Sequence, residues 1–306
     1  MIKTKSHRVK EPLFDRIFSG INLVLLLVFT LIFLLPLINV VASSLSTSRA
    51  LTSYQVYLWP VGWNLDAYER LLGISELWTG YGNSLFYTFV GTAVNLLVTV
   101  LAAYPLACKK LVGRKFFLTL FTFTMFFGGG MIPTYLVVRS LGLVNSRLSL
   151  ILPIAMSVSN MIIARTFFMT SIPDELREAA EIDGANEARV LVQIVLPLAK
   201  PILAVLGLYY AVSHWNSYFN ALMYLTDSKK FPIQLILRDY LLNDTLLDQV
   251  LSGNVYYTAE ELSEMLGNRE VIKYAMIVVA SVPMLLIYPF AQRYFIQGVM
   301  VGSLKG

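Results

Sequence analysis

Long apolar runs alternate along this chain with short polar connections, and the length of the runs sets the first expectation. A bilayer core of about 30 Å is crossed by a helix of about 20 apolar residues. On that criterion six spans are predicted: Ile17–Ala42, Gly82–Cys108, Phe116–Val138, Leu148–Phe168, Ile202–Leu225 and Tyr274–Ala291. The fold class is therefore all-α, a polytopic membrane protein of about six transmembrane helices. One polar segment interrupts the rhythm: Ser171–Pro201, SIPDELREAAEIDGANEARVLVQIVLPLAKP. Ser171 followed by Asp174 reads as a capping box, so a helix is predicted from Ile172 with Pro173 in its first turn. Leu176, Ala179, Ala180 and Asp183 fall at i, i+3, i+4 and i+7 and share one face. Gly184 can take the left-handed conformation that ends such a helix. Asn186 can cap a second short helix running toward Leu196 and Pro197. The expectation is two short helices with a bend at Gly184, held between spans.

Two longer polar segments differ in character. Ser43–Tyr81 contains Tyr54, Tyr57, Trp59, Pro60 and Trp63, an aromatic cluster suited to the membrane–water interface or to contact with a partner. Thr226–Glu270 carries Asp227, Asp239, Asp244, Asp248, Glu260, Glu261, Glu264 and Glu270 against Lys229, Lys230, Arg238 and Arg269. Its run LILRDYLLNDTLLDQVL predicts a helix outside the bilayer, within a loop that is either a solvated acidic connection or a docking surface.

Composition strengthens the membrane reading. The 306 residues are 57% hydrophobic and 14% charged, with a mean hydropathy of +0.65, where a soluble domain carries about a quarter charged residues. A net charge of +5, spread over several loops, does not point to nucleic acid. Cys108 is the single cysteine, so no internal disulfide or cysteine metal site is available. The basic start, MIKTKSHRVKEPLFDRIFSG, precedes an apolar run too long for a signal-peptide core and is read as leading into a retained span.

Charge also orients the spans. With the N-terminus inside, cytoplasmic segments hold 15 Lys and Arg residues, among them Lys109, Lys110, Arg114, Arg165, Arg177, Arg189 and Lys305, against 9 outside. Both termini and the Ser171–Pro201 stretch are thereby expected in the cytoplasm. The divisions that follow are a cytoplasmic tail 1–16, a first helix with outer loop 17–81, a core 82–291 holding the loops 171–201 and 226–270, and a cytoplasmic tail 292–306.

The spans carry no Asp, Glu, Lys or Arg except near a boundary. Ion-coupled carriers usually need such groups at membrane depth, although backbone carbonyls can also bind sodium. His214 lies clearly inside a span, and beside Trp215 it reads as a hydrogen-bonded packing residue or a relay. No catalytic constellation, metal-ligand spacing or phosphate loop is present. Gly128, Gly129 and Gly130 predict a helix interruption, sharpened by Pro133, serving either close helix packing or a pathway lined by non-helical backbone. The fifth span holds Tyr209, Tyr210, Ser213, His214, Trp215, Asn216, Ser217, Tyr218 and Asn220. Amides satisfy sugar hydroxyls and aromatic rings stack on apolar sugar faces; the competing role is polar glue between helices.

The punctuated stretch also carries a signature. Glu178-Ala179-Ala180, Gly184, Ile194, Leu196 and Pro197 reproduce EAA-x3-G-x9-I-x-L-P at its full spacing. The chain resembles the permease subunits of binding-protein-dependent ABC importers, with a MetI-like transmembrane domain. GGGMIPTYLVVRSLGLVNS, SHWNSYFNAL and YPFAQRYFIQGVMVGSLKG resemble the carbohydrate branch, specifically the MalG/LplC/YtcP-type oligosaccharide permeases, from about Trp59 onward.

The resemblance implies that Glu178, Ala179, Ala180, Asp183, Gly184, Ile194, Leu196 and Pro197 belong to a coupling loop seated on a cytoplasmic ATPase dimer. It implies a second related permease completing a heterodimeric pore, and an extracytoplasmic solute-binding protein docking on the outer loops. ATP and Mg would be used by the ATPase, with no cofactor on this chain and no catalysis by it. The setting would be the cell membrane, with lipid as neighbour. A substrate path over Tyr209, His214, Trp215, Asn216, Tyr218, Asn220, Gly129 and Gly130 is the finer expectation. The alternatives are an ABC importer permease for a peptide, amino acid or polyamine, or an ion-coupled carrier.

Overall fold

The computed structural model describes residues 12–242 and 258–303. The basic residues Lys3, Lys5, Arg8 and Lys10, together with His7, Asp244, Asp248 and Lys305, lie outside the described residues, as does the second half of the run predicted as an outer helix. The described residues are helices and turns with no strand among them. Among the described residues, three helices are long and apolar enough to cross a bilayer alone: α1 (Leu13–Ser44), α4 (Ser75–Ala107) and the Ser263–Ile287 part of the last helix. Three bent helix pairs raise the number of possible spans to as many as six.

The described chain divides into two compact units, residues 12–71 with 258–278, and residues 72–242 with 279–303. In the first, α1 is exposed along residues 13–38, as expected of an apolar helix whose solvent is lipid or another subunit. At its end the chain folds back. Asn39 donates to the carbonyl of Tyr57 at 2.7 Å, and Ser44 shares a 2.7 Å hydrogen bond with the Tyr68 hydroxyl. The short helices α2 (Ser48–Thr52) and α3 (Asp66–Leu72) occupy what reads in sequence as loop. Trp59 is 81% exposed, and Tyr54, Tyr57 and Trp63 are exposed as well, an arrangement suited to an interfacial belt.

The second unit is built around α4. Its buried face runs Leu77, Gly80, Ser84, Tyr87, Gly91, Asn95, Thr99 and Ala103, spaced at three and four residues and rich in small and polar groups. Such a face lets apolar helices approach closely and bond across the contact. It packs against α7 (Val158–Ser171), α11 (Lys200–Trp215) and α13 (Ile233–Leu242).

The predicted spans are more broken than their hydropathy suggests. The third is α5 (Arg114–Phe126) and α6 (Met131–Ser140), bent by 115° at the glycine run, with Gly130 at φ +83°. Among the described residues, no atom comes within 4 Å of where a side chain at Gly128 or Gly130 would begin, so no described helix packs on them. The fourth begins as two 3₁₀ turns, Arg147–Leu150 and Leu152–Ile154, before α7 starts at the Ser157 cap. The fifth stops at Trp215 and resumes as α12 (Phe219–Tyr224).

In the segment Thr226–Glu270 the described half of the predicted helix forms, as α13. Ile233, Leu235 and Ile236 of α13 are buried, with Ile233 and Ile236 against Gly80 of α4. The last helix, α14, already begins at Ala259 and runs to Ser303. Most of this acidic segment that is described is therefore helix, partly packed, instead of solvated loop. Helices α8 (Asp174–Ile182), α9 (Glu187–Val190) and α10 (Leu196–Leu198) complete the set.

Candidate functional site

The polar stretch folds as two short helices with a bend, but it starts later than its cap pattern suggests. A proline disfavours helical geometry in the residue before it. Ile172 accordingly sits extended at φ −118°, ψ 106°, Pro173 becomes the N-cap, and α8 begins at Asp174. Ser171 is the last residue of α7, so the Ser171–Asp174 capping box does not form. The Asp174 carboxylate turns to Lys109 Nζ at 2.7 Å.

The far end of α8 matches expectation. Gly184 adopts φ +76°. Its N–H donates to Glu181 O at 3.0 Å and that of Ala185 to Ala180 O at 2.9 Å, the paired bonds of a Schellman stop. Asn186 Oδ1 then accepts from Arg189 N at 2.9 Å and starts α9. Leu191–Val195 widens into a π turn. Pro197 supplies no N–H, and its ring crowds the carbonyl four residues back, which the wider turn accommodates.

The expected common face of α8 is split. Ala180 is buried, whereas Leu176 is 42% exposed, Ile182 is 87% exposed, and Ala179 and Asp183 are exposed. The face that does attach is Asp174, Arg177, Ala180 and Glu181, because the end of α4 presents polar partners to it. Lys109 pairs with Asp174, and Lys110 Nζ lies 2.6 Å from Glu181. The Arg177 guanidinium sits 5.3 Å from the Tyr104 ring centre and donates to Cys108 Sγ at 3.3 Å. Tyr104 in turn donates its hydroxyl proton to Glu187 at 2.5 Å. The hydrogen bond from Lys109, and then its charge, holds the Asp174 carboxyl below the usual carboxylate range. Asp174 raises Lys109, and Glu181 raises Lys110, in the same way.

Glu178 and Gly184 stay exposed, Ile194 and Leu196 are half-buried, and Pro197 is exposed. The element is thus fastened along one side to α4. Its other side is left bare, with the apolar side chains of Leu176, Ala179 and Ile182 on the surface.

The residues considered for a substrate path separate into groups. Tyr209, Trp215 and Asn216 line one cleft of about 600 Å³, together with Gln234, Ser281 and Met284. Trp215 is 1% exposed, and its indole N–H donates to Ala280 O at 3.2 Å, which fixes the ring as a wall. His214 points elsewhere. It is buried with Nε2 2.8 Å from Asn95 Oδ1, and Asn95 donates its amide to Ile154 O at 2.6 Å. With the amide nitrogen so used, the oxygen accepts and the imidazole donates. Tyr210 likewise bonds Thr99 at 2.7 Å and accepts from Ser157 N at 3.2 Å. His214 and Tyr210 are therefore glue between helices.

Tyr218 packs edge-on to Phe219 and Asn220 is half-buried; neither lines the cleft. Gly129 and Gly130 form the break in the third span, away from it. Gln234 and Ser281 were not identifiable from sequence, since nothing in the IQLIL or VASVP runs marks one polar residue as cleft-facing. The attachment residues Tyr104, Arg177 and Glu187 escaped too, although Arg177 directly precedes the signature and Glu187 lies within its spacer.

The chain matches, over residues 6–301, the family model described as "Binding-protein-dependent transport system inner membrane component". It is 42% identical over 298 residues to the polygalacturonan/rhamnogalacturonan transport system permease protein YtcP of Bacillus subtilis (strain 168), covering 97% of this chain and 100% of that one. It is 40% identical over 300 residues to protein LplC of the same organism, covering 98% and 99%. A chain in the crystal structure of a bacterial ABC transporter involved in the import of the acidic polysaccharide alginate superposes with a TM-score of 0.82 at 36% identity, covering 94% and 99%. The likeness takes in the first span as well as the region from Trp59 onward.

Proposed function

The chain belongs to the binding-protein-dependent transport system inner membrane components, and from that premise we propose that it forms half the pore of an importer for acidic oligosaccharides, driven through α8 and α9. It is a multi-pass membrane permease subunit of an ABC importer, not the component that hydrolyses ATP. ATP and Mg are used by a separate ATPase pair, a second related permease completes the pore, and a solute-binding protein delivers cargo from outside. The termini and the α8–α9 element face the cytoplasm.

The observation that carries this reading is the two-sided construction of α8–α9. One side is tied to α4 through Asp174, Arg177, Glu181 and Glu187. The other shows Leu176, Ala179 and Ile182 beside Glu178, a small apolar ridge with one carboxylate at its edge. Such a ridge fits a shallow groove with a basic rim, and Gly184 sets the bend without side-chain crowding. A rigid bent element of this kind moves as one body when its seat moves.

Saccharide cargo is supported by the relatives, which serve polygalacturonan and rhamnogalacturonan, and alginate. The cleft fits that chemistry, with the Trp215 and Tyr209 rings for sugar faces and the Asn216 and Gln234 amides for hydroxyls. Direct contact of this subunit with sugar is part of the proposal.

The test is uptake of labelled oligogalacturonate into vesicles holding the complete transporter. ATP-dependent uptake, competed by oligogalacturonate and not by a neutral oligosaccharide, is expected. Equal competition by both would overturn the acidic cargo. Glu178→Lys and Gly184→Trp are expected to abolish uptake and loosen the ATPase; full uptake with the ATPase retained would overturn the coupling role.

A further inference from the structure

The geometry points to Tyr104, Arg177 and Glu187 as the joint that hands movement of α8–α9 to α4, and to α4 as the rod that carries it to the cleft-lining helix α11. This rests on the reading that α8–α9 seat on the ATPase, and it supplies the route from that seat to the cleft.

Three observations carry it. First, the contact between α8–α9 and the end of α4 has fixed geometry. Tyr104 donates to Glu187 while its ring face takes the Arg177 guanidinium, and Arg177 also reaches Cys108. Arg177 Nε and Nη2 are buried without a hydrogen-bond acceptor, so the guanidinium is held by its ring contact and its one sulfur acceptor. Sliding α8–α9 along α4 would part the Glu187 carboxylate from Tyr104 and take the half-buried Arg177, two of whose guanidinium nitrogens are buried, off its ring and sulfur contacts, and a buried cation left without partners is costly. Moving the two together keeps every contact.

Second, α4 is one uninterrupted helix over Ser75–Ala107. From Tyr104 back to Asn95 is about 14 Å at the helical rise of 1.5 Å per residue. Third, that stretch is keyed to α11. Asn95 bonds His214, Thr99 bonds Tyr210, and a side-chain carbon at Gly91 would collide with the His214 ring. His214 and Tyr210 sit on the same helix as Tyr209 and Trp215, which wall the cleft. A displacement of α4 therefore repositions α11, because close-packed and hydrogen-bonded helices shift as units. These are positioning residues; none touches cargo.

The test uses the complete transporter in vesicles and reads sugar moved per ATP hydrolysed, with assembly measured in parallel. Tyr104→Phe and Glu187→Leu are expected to keep the ATPase bound and ATP turnover running while sugar moved per ATP falls about tenfold, the scale of one lost charge-assisted hydrogen bond. Glu187→Gln, which retains the acceptor oxygen, is expected to hold the ratio near that of the unmodified chain. An unchanged ratio in Tyr104→Phe and Glu187→Leu would overturn the joint. So would a loss of assembly in which the surviving complexes keep the normal ratio, since that marks a purely structural role. If Glu178→Lys uncouples and Tyr104→Phe does not, the joint alone is wrong. If Glu178→Lys also leaves coupling intact, the seat itself is wrong.

Discussion

Gly91 shows how much can rest on one missing side chain. The His214 imidazole occupies the place where a β-carbon would be, and the Asn95 bond holds it there. Gly91→Ala is therefore expected to push the ring off its acceptor and lower stability by about 1–3 kcal/mol, the usual cost of overpacking. Thermal unfolding of the purified transporter in detergent checks this. Because the clash is with a single partner, Gly91→Ala combined with His214→Ala is expected to cost less than the sum of the two, measured as a double-mutant cycle. Neither half of this pair was legible in the sequence. A histidine among aromatic residues is ambiguous, and a glycine on an apolar helix looks like any small residue until the opposing helix is in place.

Short helices such as α8 depend on what holds their ends, since a nine-residue helix is marginal by itself. The Schellman stop at Gly184 and the Asn186 cap are local chemistry, so sequence spacing predicts both. The start is not local in the same way. Pro173 overrides the apparent capping box, and the Asp174 carboxylate pairs instead with Lys109, in the turn that follows α4. That tether has a pH signature. Asp174 is depressed, so its contribution is present above the ordinary carboxylate value and is lost as pH falls through the lowered one. Lys109 is raised, so its contribution is present below the ordinary lysine value and is lost as pH climbs through the raised one. The tether is therefore intact through the neutral range. A spin label at Leu176→Cys, in a chain with Cys108→Ser, is expected to gain mobility only below about pH 4. With Asp174→Asn it is expected to be mobile throughout, and added salt is expected to act in the same direction because both groups are exposed.

At the scale of the molecule, the chain is a conduit without an energy source of its own in its spans. Vesicles carrying the permease alone, given a proton or sodium gradient, are expected to show no sugar uptake; gradient-driven uptake would favour an ion-coupled carrier. The sequence by itself determined the helical membrane class, the importer family and the position of the punctuated element, because each depends on residues close together in the chain: run length, cap and stop residues, and motif spacing. The first span lay outside the recognised similarity for the same reason, since a run of Leu, Val, Ile and Phe has length but no distinguishing pattern. Only the tertiary structure decided which side of α8 is fastened and which is bare, which fifth-span residues wall the cleft, and that His214 faces α4. Those choices are made by groups far apart in sequence, such as Tyr104 with Glu187 and Gly91 with His214. Helical periodicity places a residue on a face, but the identity of the helix opposite that face is set by packing across the whole unit.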